Sequence, residues 1–177
     1  MSKVCFETKI ISINQRRIVL FPQEASQSLP TRGMTMVQGT FNDVPFESDL
    51  EPDGKGSHWF KVGDVLTEMA RVDVGDGVTI CTEPLKEWYE PEVPSDLISA
   101  LENETLLEFW ASLTVKARWE WVRWIRFTNN PETRQNRIDV TCSKLHAGKR
   151  RPCCFDLSRC TDMDVSKSGV LNLTYSK

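Results

Sequence analysis

The chain has 177 residues, of which 40% are hydrophobic and 27% are charged, and its net charge is −3. This is ordinary globular composition, and no apolar run approaches the roughly 18–20 residues of a membrane helix. The N-terminus also lacks the basic-then-apolar pattern of a signal peptide. We therefore expect a soluble, cytoplasmic protein with no membrane insertion.

The net charge conceals an asymmetry between the two halves of the chain. Residues 1–92 carry 9 Lys or Arg and 15 Asp or Glu, whereas residues 93–177 carry 13 and 10. The second half is therefore the better place for an anionic partner. This half is far less basic than the binding face of a duplex-DNA-binding protein. The net negative charge of the whole chain also argues against a nucleic-acid-binding function.

Residues 1–83 have the pattern of a small β-barrel. Runs rich in β-branched and aromatic residues alternate with turn residues, such as Asn14-Gln15 and Asn42-Asp43. Pro45 cannot donate to a strand ladder, which places its strand at an edge or a bulge. Residues 66–71 have the pattern of a short helix. The spacing predicts six to seven strands, and the predicted strands lie near residues 4–11, 17–21, 34–41, 44–48, 58–62 and 72–81.

A linker, a helical segment and a tail follow the predicted barrel. Residues 84–94 contain three prolines and are expected to form an extended linker. The pattern of residues 95–148 predicts about four helices that pack on the barrel. Asn130-Pro131 is a helix start, because asparagine caps and proline fits the first helical position. Gly148 is a left-handed stop. Residues 149–177 are a basic, Cys-rich tail, in which Val170, Leu171 and Leu173 indicate either a docked strand or a frayed end. The fold class is therefore α+β.

Several short sequence motifs in the chain are characteristic as a set. Those of the first half are Phe21-Pro22, Arg32-Gly33-Met34, Gly39-Thr40-Phe41, Val44-Pro45-Phe46, residues 54–59 and Val74-Gly75-Asp76. Those of the second half are residues 94–101, Trp124-Ile125, residues 131–138 and residues 147–155. Together they resemble one bacterial family, the YdeI or OmpD-associated (OmdA, bacteriocin-protection-like) proteins, with a small β-barrel domain of unknown function in front. The resemblance implies a barrel followed by helices in a cytoplasmic bacterial protein, and it brings no catalytic residues.

Basic residues of the second half are the first candidate site. Arg134 and Arg137 are one turn apart near a helix start, and with residues 149–151 (Lys149, Arg150, Arg151) they have the chemistry to bind a phosphate or carboxylate. The alternative is that they pair with the acidic barrel half. His58, beside Trp59, is a candidate ligand contact or general base at the barrel rim, although a lone histidine at a strand start is more often structural.

Cysteines are the second candidate. Lys149, Arg150, Arg151 and Arg159 would lower the pKa of Cys153 and Cys154, which suits a redox sensor. A metal site is not favoured, because adjacent cysteines point in different directions and zinc ligands are usually two to four residues apart. In a cytoplasmic chain we expect reduced thiols. The other cysteines that the strand and helix patterns contain are expected to be small buried residues: Cys5, Cys81 and Cys142.

These observations favour a non-enzymatic binding or interaction module without a cofactor. Its ligand would be an anionic small molecule or a protein partner, held at the seam between barrel and helices. A thiol-based sensor or small enzyme that uses Cys153 or Cys154 is the alternative, and a nucleic-acid binder is the third possibility. The sequence leaves the oligomeric state open.

Overall fold

A computed structural model describes residues 3–152 of the chain. They divide into two compact units, residues 3–86 (the barrel unit) and residues 87–152 (the helical unit). Within the described residues, the barrel unit holds seven strands and two short helices, and the helical unit holds four helices. The predicted α+β class is confirmed. No helix among these residues has the length and apolar content that a membrane span needs.

All strands of the barrel unit belong to one antiparallel sheet with the order β1-β7-β4-β5-β6-β3-β2. The two ends of this order, β1 and β2, are separated in the chain only by Ile10, so the sheet curls into a barrel-like shell. The bounds are β1 Val4–Lys9, β2 Ile11–Ile13, β3 Arg16–Leu20, β4 Thr35–Phe41, β5 Val44–Pro52, β6 His58–Lys61 and β7 Gly77–Pro84.

Ile10 divides what the sequence predicts as a single strand over residues 4–11. Its amide donates to the carbonyl of Asp76 at 3.1 Å, and its carbonyl accepts from the amide of Gly75 at 2.8 Å. Ile10 is thus bonded to the loop before β7 and not to a strand neighbour. This lets the chain leave β7 and continue beside β3.

The two predicted Asn-containing turns are confirmed. Asn14 and Gln15 have φ of 47° and 65°, and Asn42 and Asp43 have φ of 45° and 66°. A two-residue hairpin of the type I′ class needs positive φ at both central residues. Asparagine and aspartate adopt such angles more readily than most residues, so these sequences fix the β2–β3 and β4–β5 registers.

The interior of the barrel unit is apolar, and two short helices, α1 (Gln23–Gln27) and α2 (Asp64–Ala70), pack beside the sheet. The second matches the short helix that the sequence predicts near residues 66–71. Core side chains include Ile10, Val19, Phe21, Val37, Phe41, Leu50, Phe60 and Ile80.

The helical unit consists of α3 (Ser95–Asn103), α4 (Leu107–Ser112), α5 (Val115–Arg126) and α6 (Pro131–His146). The Asn130 side chain accepts from the Thr133 amide at 3.0 Å, and Gly148 has a φ of +80°. The predicted start and stop of α6 are therefore confirmed. Burial in this unit centres on Trp121, which is fully buried.

Cysteine pairing differs from the sequence expectation. Cys5 and Cys81 form a disulfide, and Cys5 is exposed, so the prediction that both are reduced, buried residues is wrong. The reason is the register of β1 against β7, which sets the two cysteines directly opposite each other. They are 76 residues apart in sequence, too far for local patterns to reveal. Cys142 is buried, as predicted.

Candidate functional site

His58 lies inside the barrel unit with no exposed surface. Its Nε2 bonds to the Gly33 carbonyl at 2.9 Å, and its Nδ1 bonds to the Ser26 hydroxyl. A carbonyl only accepts, so the neutral ring carries its proton on Nε2 and accepts at Nδ1 from Ser26. This arrangement ties β6 to α1 and to the loop before β4, and both ring nitrogens are occupied. It favours a structural role for His58, and its predicted ligand contact stays a prediction.

Burial gives His58 a testable pH signature. Burial, and secondarily the positive charge of Arg32, lowers the pKa of His58 below its ordinary value. The unfolded chain therefore takes up the proton first, and acidification favours unfolding. We expect the barrel unit to lose stability as the pH falls below about 6.5, by at most about 1.4 kcal/mol per pH unit. Urea unfolding, measured by circular dichroism between about pH 7.5 and 5.5, checks this.

One variant controls the pH experiment. His58→Gln keeps a donor and an acceptor but does not titrate, so its stability should depend less on pH than that of the parent. Asp73 and Asp96 have lowered pKa values, so their stabilisation is lost only below about pH 4. An unchanged slope in His58→Gln would contradict the assignment.

Arg134 and Arg137 bind groups of their own unit. Arg134 donates to both carboxylate oxygens of Asp96, at 2.7 and 3.0 Å, and this pairing lowers the pKa of Asp96. Arg137 donates to the Trp124 carbonyl and lies 5.4 Å from the centre of that indole ring. Both arginines thus fasten α6 to α3 and α5. The sequence also suggested that these arginines pair with the acidic barrel half. For Arg134 the carboxylate of Asp96 already supplies the opposite charge.

The second part of the basic cluster lies beyond the other end of α6. Arg150 donates to the Ser112 carbonyl at 3.0 Å and covers the Phe109 ring at 5.3 Å, whereas Arg151 is 3.7 Å from a Glu120 carboxylate oxygen. Lys149 is exposed. Arg137 and His146 are nine residues apart, or about 14 Å along the helix axis. The five cations therefore form two groups and not one compact site.

Cys153 and Cys154 lie outside the described residues, and their redox role stays a prediction. Within the described residues, no group of three His, Cys, Asp or Glu side chains is arranged to hold a metal ion. Cys142 lines a polar cavity of about 520 Å³ between α3 and α6. Burial raises the pKa of its thiol, which disfavours the reactive thiolate.

A groove lies on the barrel unit between β5 and α2. Among the described residues, β6 pairs with β5 only at Glu51 and Pro52, so residues 44–48 have a strand neighbour on the β4 side alone. We call this concavity of about 290 Å³ the β5 groove. Its lining comprises Val44, Pro45, Phe46, Glu47, Ser48, Phe60, Lys61, Gly63, Val65, Leu66 and Met69.

The register of the β4–β5 hairpin decides which backbone groups face the groove. Phe41 and Val44 flank a two-residue turn and so form a hydrogen-bonded pair, after which bonded and non-bonded pairs alternate. Pro45 and Glu47 consequently turn their backbone groups away from β4. Glu51 continues this alternation and pairs with β6.

Pro45 is explained by this geometry. The sequence predicts an edge or a bulge, whereas β5 lies inside the strand order. At Pro45, however, the strand is one-sided, and the missing N–H would have pointed away from β4 into the groove. No ladder bond is lost.

Apolar side chains border the groove on its other side. Val65 and Met69 lie one turn apart on α2, and they are 70% and 62% exposed. Phe46 stacks on Phe60 with a centroid distance of 5.5 Å. The groove therefore combines outward-facing strand backbone with an apolar wall and floor.

Two family models match the chain. Residues 6–81 match a domain of unknown function, DUF1905, and residues 90–148 match OmdA, described as bacteriocin-protection, YdeI or OmpD-associated. The two matched ranges follow the order that the sequence resemblance implies, with the domain of unknown function before the OmdA segment. A search of curated proteins gives no match.

The candidate site residues are distributed over the two matched ranges. The DUF1905 domain contains His58 and the β5 groove, and the OmdA segment contains Arg134 and Arg137 but ends before Lys149. The β5 groove was not predicted from the sequence. The proline within β5 was its one local signal, because it marks a strand position whose N–H is not required.

Proposed function

We propose that this protein is a non-enzymatic interaction module, and that the domain matching DUF1905, residues 6–81, binds an extended segment of a partner protein along the β5 groove. The segment would add to β5 as a further strand. The observation that carries the proposal is that, among the described residues, residues 44–48 pair with β4 alone, beside an apolar wall. The outward N–H and C=O groups of Glu47 and the outward C=O of Pro45 are a template for another chain.

Side-chain chemistry supports a segment with apolar residues at every second position. Strand side chains alternate between two faces, so one face of an added strand would meet Phe46, Phe60 and Leu66. The other face would lie beside the exposed side chain of Glu47. A Lys or Arg next to it would form a cross-strand charge pair worth roughly 0.2–1 kcal/mol.

A protein partner is better supported than an anionic small molecule. The cations that the sequence suggests for an anion lie near opposite ends of α6. Arg134 is already held by a carboxylate and Arg150 by a carbonyl. An anion would have to displace these partners.

Binding of a short fluorescent peptide in which Val and Lys alternate tests the proposal. Glu47→Pro removes an outward N–H at a position where Pro45 shows that proline is compatible with this edge. We expect it to weaken binding about fivefold or more, because one backbone hydrogen bond is worth about 1 kcal/mol. Glu47→Gln keeps the N–H and should lose only the charge contribution. Fluorescence anisotropy measures both against the parent.

A second pair of variants tests the apolar wall in the same assay. Val65→Glu places a charge beside the bound apolar side chains and should weaken binding. Val74→Glu makes the same change at another exposed valine of the barrel unit, outside the groove lining, and should not. Equal affinity of Glu47→Pro and Glu47→Gln, together with equal affinity of the two valine variants, would refute the proposal.

A further inference from the structure

The disulfide between Cys5 and Cys81 lies on the outward face of the sheet in the barrel unit. Both cysteines alternate with core residues along their strands: Cys5 precedes Phe6, which packs against the core, and Cys81 follows the fully buried Ile80. Cys5 is exposed, whereas Cys81 is half-buried. A dissolved thiol therefore reaches the sulfur of Cys5 more easily than that of Cys81.

The strand order also decides which sulfur a thiol can attack. Thiol–disulfide exchange is a displacement at one sulfur, and the incoming thiolate stands opposite the sulfur that leaves. Among the described residues, β1 is paired with β7 alone and ends the strand order, so a thiol can approach Cys5 from the side away from β7. Attack on Cys81 would come from the opposite side, across β4, where Thr40 is directly opposite Cys81.

We propose that Cys5 is a thiol-exchange site, at which a small peptide thiol of the glutathione class forms a mixed disulfide. The thiolate bonds to the Cys5 Sγ, the bond between Cys5 and Cys81 breaks, and its electron pair leaves with the Cys81 sulfur, which takes a proton from water. A second thiolate then attacks the bound thiol and releases Cys5. Two small thiols are thereby oxidised to one disulfide, and the protein disulfide is reduced to two thiols.

Charged side chains beside Cys5 suit a peptide thiol. Glu7 and Lys9 follow Cys5 by two and four residues and are exposed, so all three share one face of β1. With Gly77 and Thr79 of β7, they line a shallow concavity of about 430 Å³. Lys9 is about 13 Å along the strand from Cys5, a distance that a tripeptide and the long lysine side chain together span. Lys9 can pair with a carboxylate of the bound thiol, and Glu7 with its ammonium group.

The strands should stay paired when the disulfide opens. Six residue pairs join β1 to β7, from Val4–Thr82 to Lys9–Gly77. This ladder keeps Cys5 and Cys81 opposite each other in the reduced protein, so oxidised glutathione can restore the bond. The site shares no residue with the β5 groove, so its failure would leave the proposed function standing.

Mass spectrometry of the full chain after brief treatment with reduced glutathione tests the proposal. Acid quenching, alkylation of the free thiols and digestion show which sulfur carries glutathione. We expect the adduct on Cys5 to exceed that on Cys81 about tenfold or more, because access decides which sulfur is attacked. Equal adducts, an adduct mainly on Cys81, or alkylation of both cysteines without any thiol treatment would overturn the proposal.

Urea at concentrations below the unfolding transition distinguishes attack on the folded strand from attack on the unfolded chain. The free energy of unfolding falls linearly with urea concentration, so a reaction that required unfolding would accelerate exponentially. We expect the rate of opening to stay within about twofold of its value in water, because no further surface has to be exposed. An exponential rise would overturn the proposal.

Lys9→Gln tests the recognition of a charged thiol. It should slow opening by glutathione about two- to fivefold, the effect of losing one exposed charge pair, and leave opening by uncharged mercaptoethanol unchanged. Lys55→Gln removes a lysine from the loop before β6 and should change neither rate. Equal rates of Lys9→Gln and the parent with glutathione, or equal slowing with both thiols, would overturn the assignment of a peptide thiol.

Discussion

Replacing Gly39 by alanine is expected to destabilise the barrel unit by about 3 kcal/mol, at the upper end of the usual overpacking cost. Gly39 lies in β4 between two strand neighbours, β5 and β7. A Cβ there would come within 1.9 Å of the Cys81 carbonyl oxygen and 2.9 Å of the Thr82 Cα. Both are backbone atoms, so no side chain can rotate away, and β4 and β7 would have to separate.

Gly77→Ala is the matched control for this change. Gly77 is also in a strand of the same sheet, but a Cβ there meets only the Thr8 carbonyl oxygen at 3.9 Å, an ordinary contact. We expect its stability to stay within about 1 kcal/mol of the parent. Urea unfolding followed by hydrogen exchange in β6, away from both substitutions, measures the two effects. Equal stability of the variants would mean that β4 and β7 are not held this close.

Local chemistry made much of the fold predictable. Asn42 and Asp43 both tolerate the positive φ that the hairpin requires at its two central positions. At the start of α6, Asn130 supplies the cap and Pro131 a φ that already suits a helix. Each of these signals acts within a few residues. The division of the first strand at Ile10 was not predictable, because it depends on bonds to Gly75 and Asp76 in a loop 65 residues later.

Contacts between residues that are distant in sequence likewise made the partners of the candidate site residues unpredictable. Charge patterning found Arg134 and Arg150, but their partners, Asp96 and Ser112, are each 38 residues away. The same holds for Cys5 and Cys81. The β5 groove depends on where β6 stops pairing with β5, a property of two registers that no single segment encodes. Pro45 carried part of this information, since it identified a position with no ladder donor.

Trp121→Ala is expected to cost about 4 kcal/mol, within the range for large aromatic residues in a core. Trp121 is fully buried on α5, packs among residues of α3, α4 and α6, and donates its indole N–H to the Arg150 carbonyl at 3.1 Å. The substitution removes the apolar contacts and leaves that carbonyl without its donor. A small helical unit has little stability to spare, so a large fraction of it should be unfolded in the absence of urea.

Two companion variants divide this cost into its parts. Trp121→Phe keeps most of the buried ring and loses the N–H, so it should cost about 1–2 kcal/mol. Trp88→Ala removes a half-buried indole whose ring lies 4.9 Å from the Lys116 ammonium, a cation–π contact worth about 1 kcal/mol. Five of the six tryptophans lie in the helical unit, so tryptophan fluorescence during urea unfolding reports on this unit. If Trp121→Ala proves no less stable than Trp88→Ala, α5 does not form the centre of the helical core, and the attachment of Arg150 through Trp121 fails with it.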